Sequence, residues 1–251
     1  MDQLENLKKQ ANLYLEIIKK EFNINTNLKN LEIKIDDNKS LFPTSMNNII
    51  YLPKSYKALL KELKKIPKFG YNKNHSHFKK DEINNKKTYF DFLKHIYIAG
   101  LSEEEYYKEL ILHELISMCS INEDSSLKRG LVELKTRELA QKYNLITNWC
   151  LNSKELEIAL KMQELLGQEL INKIIFTKSK RDLYVNIGAE LYGVYNSIEE
   201  QMEIENEKQL KRDGLIRSTI EKSKINYKSA TISLDFYEVY INRTLKIKKW
   251  A

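Results

Sequence analysis

The sequence predicts an α+β fold that is mostly helical, with a small mixed sheet and helices in the N-terminal half and a helical C-terminal half. Three observations carry this. Only 7 Gly and 3 Pro occur in 251 residues, so little interrupts the long periodic segments. Clear alternation of apolar and polar residues is concentrated before residue 100, and the 3.6-residue period dominates after Ser102. A hydrophobic content of 42% with 15 Tyr and 8 Phe supplies enough apolar surface for a folded globule. The division is therefore an α/β part with an edge strand over 1–100 and a helical part over 101–251. No flexible linker separates them, so one continuous domain is equally open.

In order along the chain, Asp2 to Phe22 has Leu4, Leu7, Ala11, Leu15 and Ile18 near a helical period, as in an amphipathic helix. An Asn-rich break follows from Asn23 to Asn30. Leu31 to Ile35 alternates as a half-buried strand, and Asn48 to Leu52 reads as another before Pro53. Ser55 to Ile66 returns to helix, ended by Pro67 and Gly70. Lys68 to Lys87 is a polar loop holding His75 and His77. Thr88 to Ala99 is β-branched and aromatic, and its second half is predicted as strand. Ser102 and Glu105 form a capping box at the head of a helix reaching about Ser120, and Glu103 to Glu105 suit the positive end of its dipole. Further helices are predicted over Leu127 to Tyr143, Lys154 to Leu166, Glu169 to Ile175 and Ile198 to Lys211. The tail fits two patterns: Ile232, Leu234 and Phe236 alternate as in a strand, whereas Ile232, Phe236, Val239 and Arg243 fit a helix.

The formal net charge is +7, and much of it is local. Between residues 54 and 80, Lys54, Lys57, Lys61, Lys64, Lys65, Lys68, Lys73, Lys79 and Lys80 face a single acid, Glu62. Tyr56, Phe69, Tyr71 and Phe78 are interleaved with them. Such a stretch suits a nucleic-acid or acidic-protein surface. The competing reading is a solvated face, because the whole chain is rich in Lys, Asn and Ile. The 2 cysteines, Cys119 and Cys150, lie in apolar helix-like contexts and make no disulfide framework. With no secretory leader and no window of membrane-spanning length, the expectation is a cytoplasmic protein, or one exported without a recognisable signal peptide, with no membrane partner.

The chemistry concentrates in Leu112-His113-Glu114-Leu115-Ile116-Ser117. In the zinc signature H-E-x-x-H, two histidines four apart project from one helical face onto one metal, and the Glu acts as base toward the metal-bound water. His113 and Glu114 are present, and Ser117 occupies the second ligand position. At 100° per residue, Tyr107, Ile111, Leu115 and Met118 make one apolar stripe, while His113 and Ser117 lie opposite, flanked by Tyr106, Leu110 and Ile116. A helix apolar on both sides is buried, so His113 and Glu114 become ionisable groups inside a core. On the next helix, Gly130-Leu131-Val132-Glu133-Leu134-Lys135-Thr136 presents a further acid. Glu133 shares its face with Thr136 and Ala140, small enough for close helix approach. Read alone, Glu133 and Arg137 are also spaced as a surface helix pair.

Together these segments, from about residue 95 to 143, resemble the thermolysin-like gluzincin family of zinc metallopeptidases. The resemblance implies a zincin-like fold with His113 as first metal ligand, Glu114 as general base and Glu133 as the third ligand. It also implies that His95 to Gly100 is the edge strand along which an extended substrate aligns. Ser117 makes the motif degenerate, and Arg137 stands where the family tends to carry an acid supporting a ligand histidine. Both changes predict a zinc site that is weak or absent. His75, His77 or His95 could supply a missing ligand from a loop, and Ser117 could hold a water. Cys119 points away from the metal face. Tyr192 and Tyr195 fit either oxyanion donors or core and rim residues.

The functional expectation is a zinc-metallopeptidase-like protein with impaired or lost peptide-bond hydrolysis, whose ligand is a peptide or protein. The alternative is a non-catalytic basic helical protein that binds a protein partner or nucleic acid.

Overall fold

A computed structural model describes residues 3–26, 28, 30–35, 44–53, 55, 102–120, 125–145, 153–212, 227–235 and 238. Helix α1 (Gln3–Phe22) forms on the expected period, burying Leu7, Ala11, Tyr14, Leu15 and Ile18. Asn23 and Asn30 have φ of 49° and 55°, a left-handed conformation that Asn tolerates, and they bracket the break after the helix.

Three short strands follow: β1 (Glu32–Ile35), β2 (Thr44–Met46) and β3 (Ile49–Leu52). Their order is β1-β3-β2, with β1 parallel and β2 antiparallel to β3. The sequence pattern located β1 and β3 but not β2. Asn47 and Asn48 both have positive φ, 52° and 62°, as the central pair of a tight hairpin turn requires. Asn48 therefore belongs to the turn and not to the strand. In β3, Ile50 and Leu52 face the core. Tyr107 of the next helix donates its hydroxyl to the carbonyl of Pro53 at 3.1 Å, fastening the end of the sheet to the helical part.

Helix α2 (Glu103–Cys119) starts at the expected capping box: Glu105 N–H donates to Ser102 Oγ at 3.1 Å, and Ser102 N–H donates to Glu105 Oε2 at 2.7 Å. Helix α3 (Ser126–Lys142) is capped by Ser125, whose Oγ accepts from Lys128 N–H at 3.1 Å. Helices α4 (Ser153–Leu166), α5 (Gln168–Ile175), α6 (Lys180–Ile187) and α7 (Ala189–Arg212) complete the main body. The sequence reading lacked α6 and began α7 only at Ile198. Ser179 caps α6, its Oγ accepting from Asp182 N–H, and Gly188, at φ 83°, separates α6 from α7. A further helix, α8, occupies 228–235, and the described part of the tail is helical. It buries Ala230 and Leu234 but leaves Ile232 56% exposed, so the face differs from the expected one.

The architecture is thus mostly helical with a small mixed sheet. Buried apolar side chains from α1, β1, β3 and all the later helices form one continuous cluster. Helices α3 and α4 approach so closely that a Cβ on Gly130 would lie 2.2 Å from the carbonyl oxygen of Glu155. Only glycine permits that crossing. Among the described residues no helix is long and apolar enough to cross a membrane. Several expectations lie outside the described residues: the helix to Ile66 (Ser55 apart), the loop with His75 and His77, and the strand before Ala99. The same is true of the edge segment His95 to Gly100, the basic run of residues 54–80 (Ser55 apart) and Cys150.

Candidate functional site

Helix α2 is enclosed on most of its circumference. Tyr106, Tyr107, Leu110, Ile111, Leu112, Leu115 and Ile116 are buried, and so is Glu114. Helix α3 is equally enclosed, with every residue from Gly130 to Thr136 buried. The middle of α2 lacks a wide polar face, whereas α3 sinks into the core although Glu133, Lys135 and Thr136 lie at its middle. The short connection between them makes their middles neighbours, and there His113 meets Glu133.

His113 Nε2 lies 3.6 Å from Glu133 Oε2, and His113 Nδ1 lies 3.6 Å from Glu114 Oε1. The imidazole therefore sits between two carboxylates, one on each of its nitrogens. At 3.6 Å neither contact is a hydrogen bond, and both ring nitrogens are buried with no hydrogen-bond partner. Burial opposes a charged imidazole here. The Glu114 carboxylate, and then that of Glu133, more than offset it, while Lys128 opposes them, so the His113 pKa is raised above its usual value.

Glu133 is held from its other side. Arg137, one turn further along α3, donates Nε–H to Glu133 Oε1 at 3.2 Å. The spacing is that of a surface helix pair, but the placement is not: the Glu133 side chain is 4% exposed and that of Arg137 30%. The Arg137 guanidinium and the His113 imidazole offset the two carboxylates, and Lys128 adds a further positive charge to the field. That offsetting is how a core tolerates four ionisable groups.

The remaining candidates divide clearly. Ser117 is half-buried one turn after His113, and its carbonyl accepts from the N–H and hydroxyl of Ser120 as the helix ends. Thr136 turns its hydroxyl to the carbonyl of Val132 at 2.8 Å and offers nothing to the pair. Cys119 lies beside Thr26 and Lys19, away from His113, and burial pushes its thiol up to about 11, which leaves it a poor ligand. Tyr195 is buried and donates to Glu199 Oε1 at 3.0 Å, while Tyr192 stacks between Tyr184 and Tyr195. Both tyrosines are packing residues of α7.

A polar cluster that the sequence reading missed surrounds the head of α3. Glu155 is 1% exposed, and its Oε1 accepts from the Tyr227 hydroxyl at 3.3 Å with Arg129 Nε at 4.0 Å. Arg129 also donates to Ser126 Oγ at 2.7 Å, and Ser126 N–H donates to Glu203 of α7. These contacts satisfy the first turn of α3 and anchor α8. Glu155 stands in the first turn of α4, where an acid alone gives no sign of such a cluster.

For zinc, bond lengths of 2.0–2.2 Å in a tetrahedron place neighbouring donors about 3.4 Å apart. The separation between His113 Nε2 and Glu133 Oε2 is near that value. The rest of the donor set is not. Glu114 faces the opposite ring nitrogen, Ser117 offers a hydroxyl, and Arg137 takes the second oxygen of Glu133. Among the described residues no group of three or more His, Cys, Asp or Glu is arranged to hold a metal ion. The side chains as placed do not fit zinc. Two surface hollows, of about 380 Å³ beside α5 and about 200 Å³ beside Tyr14 and Glu109, are lined by other residues. Comparison of the chain with family models, curated proteins and solved structures returned no match.

Proposed function

We propose that this chain is a zinc-metallopeptidase-like protein that has lost peptide-bond hydrolysis and acts by binding a peptide or protein. What supports the reading is one observation. His113, Glu114 and Glu133 converge in the core between consecutive helices, and Glu133 is already neutralised by Arg137. Three ionisable side chains converging between two packed helices make a functional-site candidate. Hydrolysis of this kind needs three protein ligands and a metal-polarised water beside a base. Here the base position survives as Glu114, but the ligand set is short by one imidazole.

The test uses the purified full chain in two measurements. Elemental analysis is expected to give far less than one zinc per chain, and a quenched fluorescent protein substrate with added zinc is expected to show no turnover that depends on Glu114. Stoichiometric zinc together with turnover abolished by Glu114→Gln would overturn the loss of hydrolysis.

A further inference from the structure

Resting on that reading, we propose that Arg137 is the resident cation of the α2–α3 pair: it takes over the charge that a metal would supply and keeps divalent ions out. Glu133 is almost fully buried, so its carboxylate needs a permanent positive partner. Arg137 provides it at 3.2 Å through a guanidinium that stays protonated at every working pH. Its side chain is 30% exposed, so the charge enters from the rim and does not have to be carried into the core.

The charge count makes the exclusion specific. A divalent ion on a neutral His113 would be balanced by the carboxylates of Glu114 and Glu133 alone. With Arg137 in place, the same metal-bound state carries excess positive charge beside the buried pair. Without metal, Arg137 already offsets the buried carboxylate of Glu133. Ser117 removes a ligand, and Arg137 removes the charge deficit that made a metal welcome. The second change acts independently of the first, and it makes Arg137 a positioning residue for Glu133.

The inference is tested with four full-length variants: Ser117→His, Ser117→His with Arg137→Ala, Arg137→Ala, and Arg137→Ala with Glu133→Gln. The probe is Co²⁺ alone, read by the visible absorption of a tetrahedral centre, which a merely structural role for Arg137 would not move. The Ser117→His/Arg137→Ala chain is expected to bind Co²⁺ at least about tenfold more tightly than Ser117→His, in proportion to the charge removed. Arg137→Ala alone is expected to lower the unfolding midpoint, and adding Glu133→Gln is expected to restore much of it. Equal Co²⁺ affinity in the two Ser117→His chains would overturn the inference while leaving the proposed function standing. So would an unfolding midpoint for Arg137→Ala that Glu133→Gln does not raise. No Co²⁺ binding by either chain would remove the metallopeptidase-like reading and the exclusion with it. Should the alanine double variant fail to fold, Arg137→Gln on the Ser117→His background replaces it, with the same outcomes.

Discussion

Alanine at Gly130 is expected to destabilise the protein, and alanine at Gly193 to stabilise it. Both residues are in helices, and in both cases the substitution recovers about 1 kcal/mol of helix propensity. At Gly193 nothing lies within 4 Å of the added methyl, so that gain stands alone. At Gly130 the new Cβ would sit 2.2 Å from the Glu155 carbonyl oxygen and 2.6 Å from its carbon. Those are main-chain atoms of α4, which no rotamer change can move. Relief needs α3 and α4 to part by about 1 Å, an overpacking cost of about 1–3 kcal/mol. The same movement strains the Tyr227–Glu155 hydrogen bond, for about 1 kcal/mol more. Net of the propensity gain, Gly130→Ala should lose about 1–3 kcal/mol. In urea unfolding followed by far-ultraviolet circular dichroism, a slope of about 3 kcal/mol/M turns 2 kcal/mol into a midpoint shift of about 0.7 M. A Gly130→Ala chain as stable as the wild type would refute the close crossing of α3 and α4.

Further outcomes follow from the charged groups and the caps. Because the folded-state pKa of His113 is raised, its contribution is complete below its unfolded value of 6.5 and is lost as pH climbs through the folded value. Thermal unfolding from pH 5.5 to 9 should therefore show the wild type losing stability relative to His113→Gln as pH rises, and parallel curves would count against the buried imidazolium. Ser102→Ala removes the hydroxyl that accepts from Glu105 N–H and should cost about 1 kcal/mol in urea unfolding. Lys135 is fully covered between α3 and α4, with its Nζ 2.8 Å from both Glu138 and Gln163. Burial lowers its pKa, and Glu138 pulls the other way. Lys135→Ala should cost about 2–4 kcal/mol through the cavity left behind. Lys135→Met, which keeps the volume and removes the charge, should cost far less in the same measurement.

How much the sequence revealed depends on whether the deciding contact is local. The capping box at Ser102, the period of α1 and the enclosure of α2 are encoded within a few residues, and all three were legible. The meeting of His113 with Glu133 was expected only through the family resemblance, since a contact between side chains twenty residues apart is written in no local pattern. Strand β2 was not, because three residues with an exposed Met46 carry no alternation and its turn is made by asparagines and not glycine. Helix α6 is 8 residues long and buries only Leu183 and Ile187, too few for a period to emerge. The close crossing at Gly130 and the Glu155 cluster depend on α4, α7 and α8 arriving from elsewhere in the chain, which no local pattern records.

Arg137 shows where local reading runs out. A Glu and an Arg four apart on a helix look the same in sequence whether the pair is solvated or buried, yet the consequences are opposite. In water the pair is worth a few tenths of a kcal/mol and can be deleted with little effect. Against a 4% exposed carboxylate that also faces an imidazole, removing the guanidinium leaves a buried charge without its permanent counterion. The difference lies in the packing of α2 onto α3. It turns a pair that local spacing would class as ornamental into one whose loss leaves a buried carboxylate unbalanced.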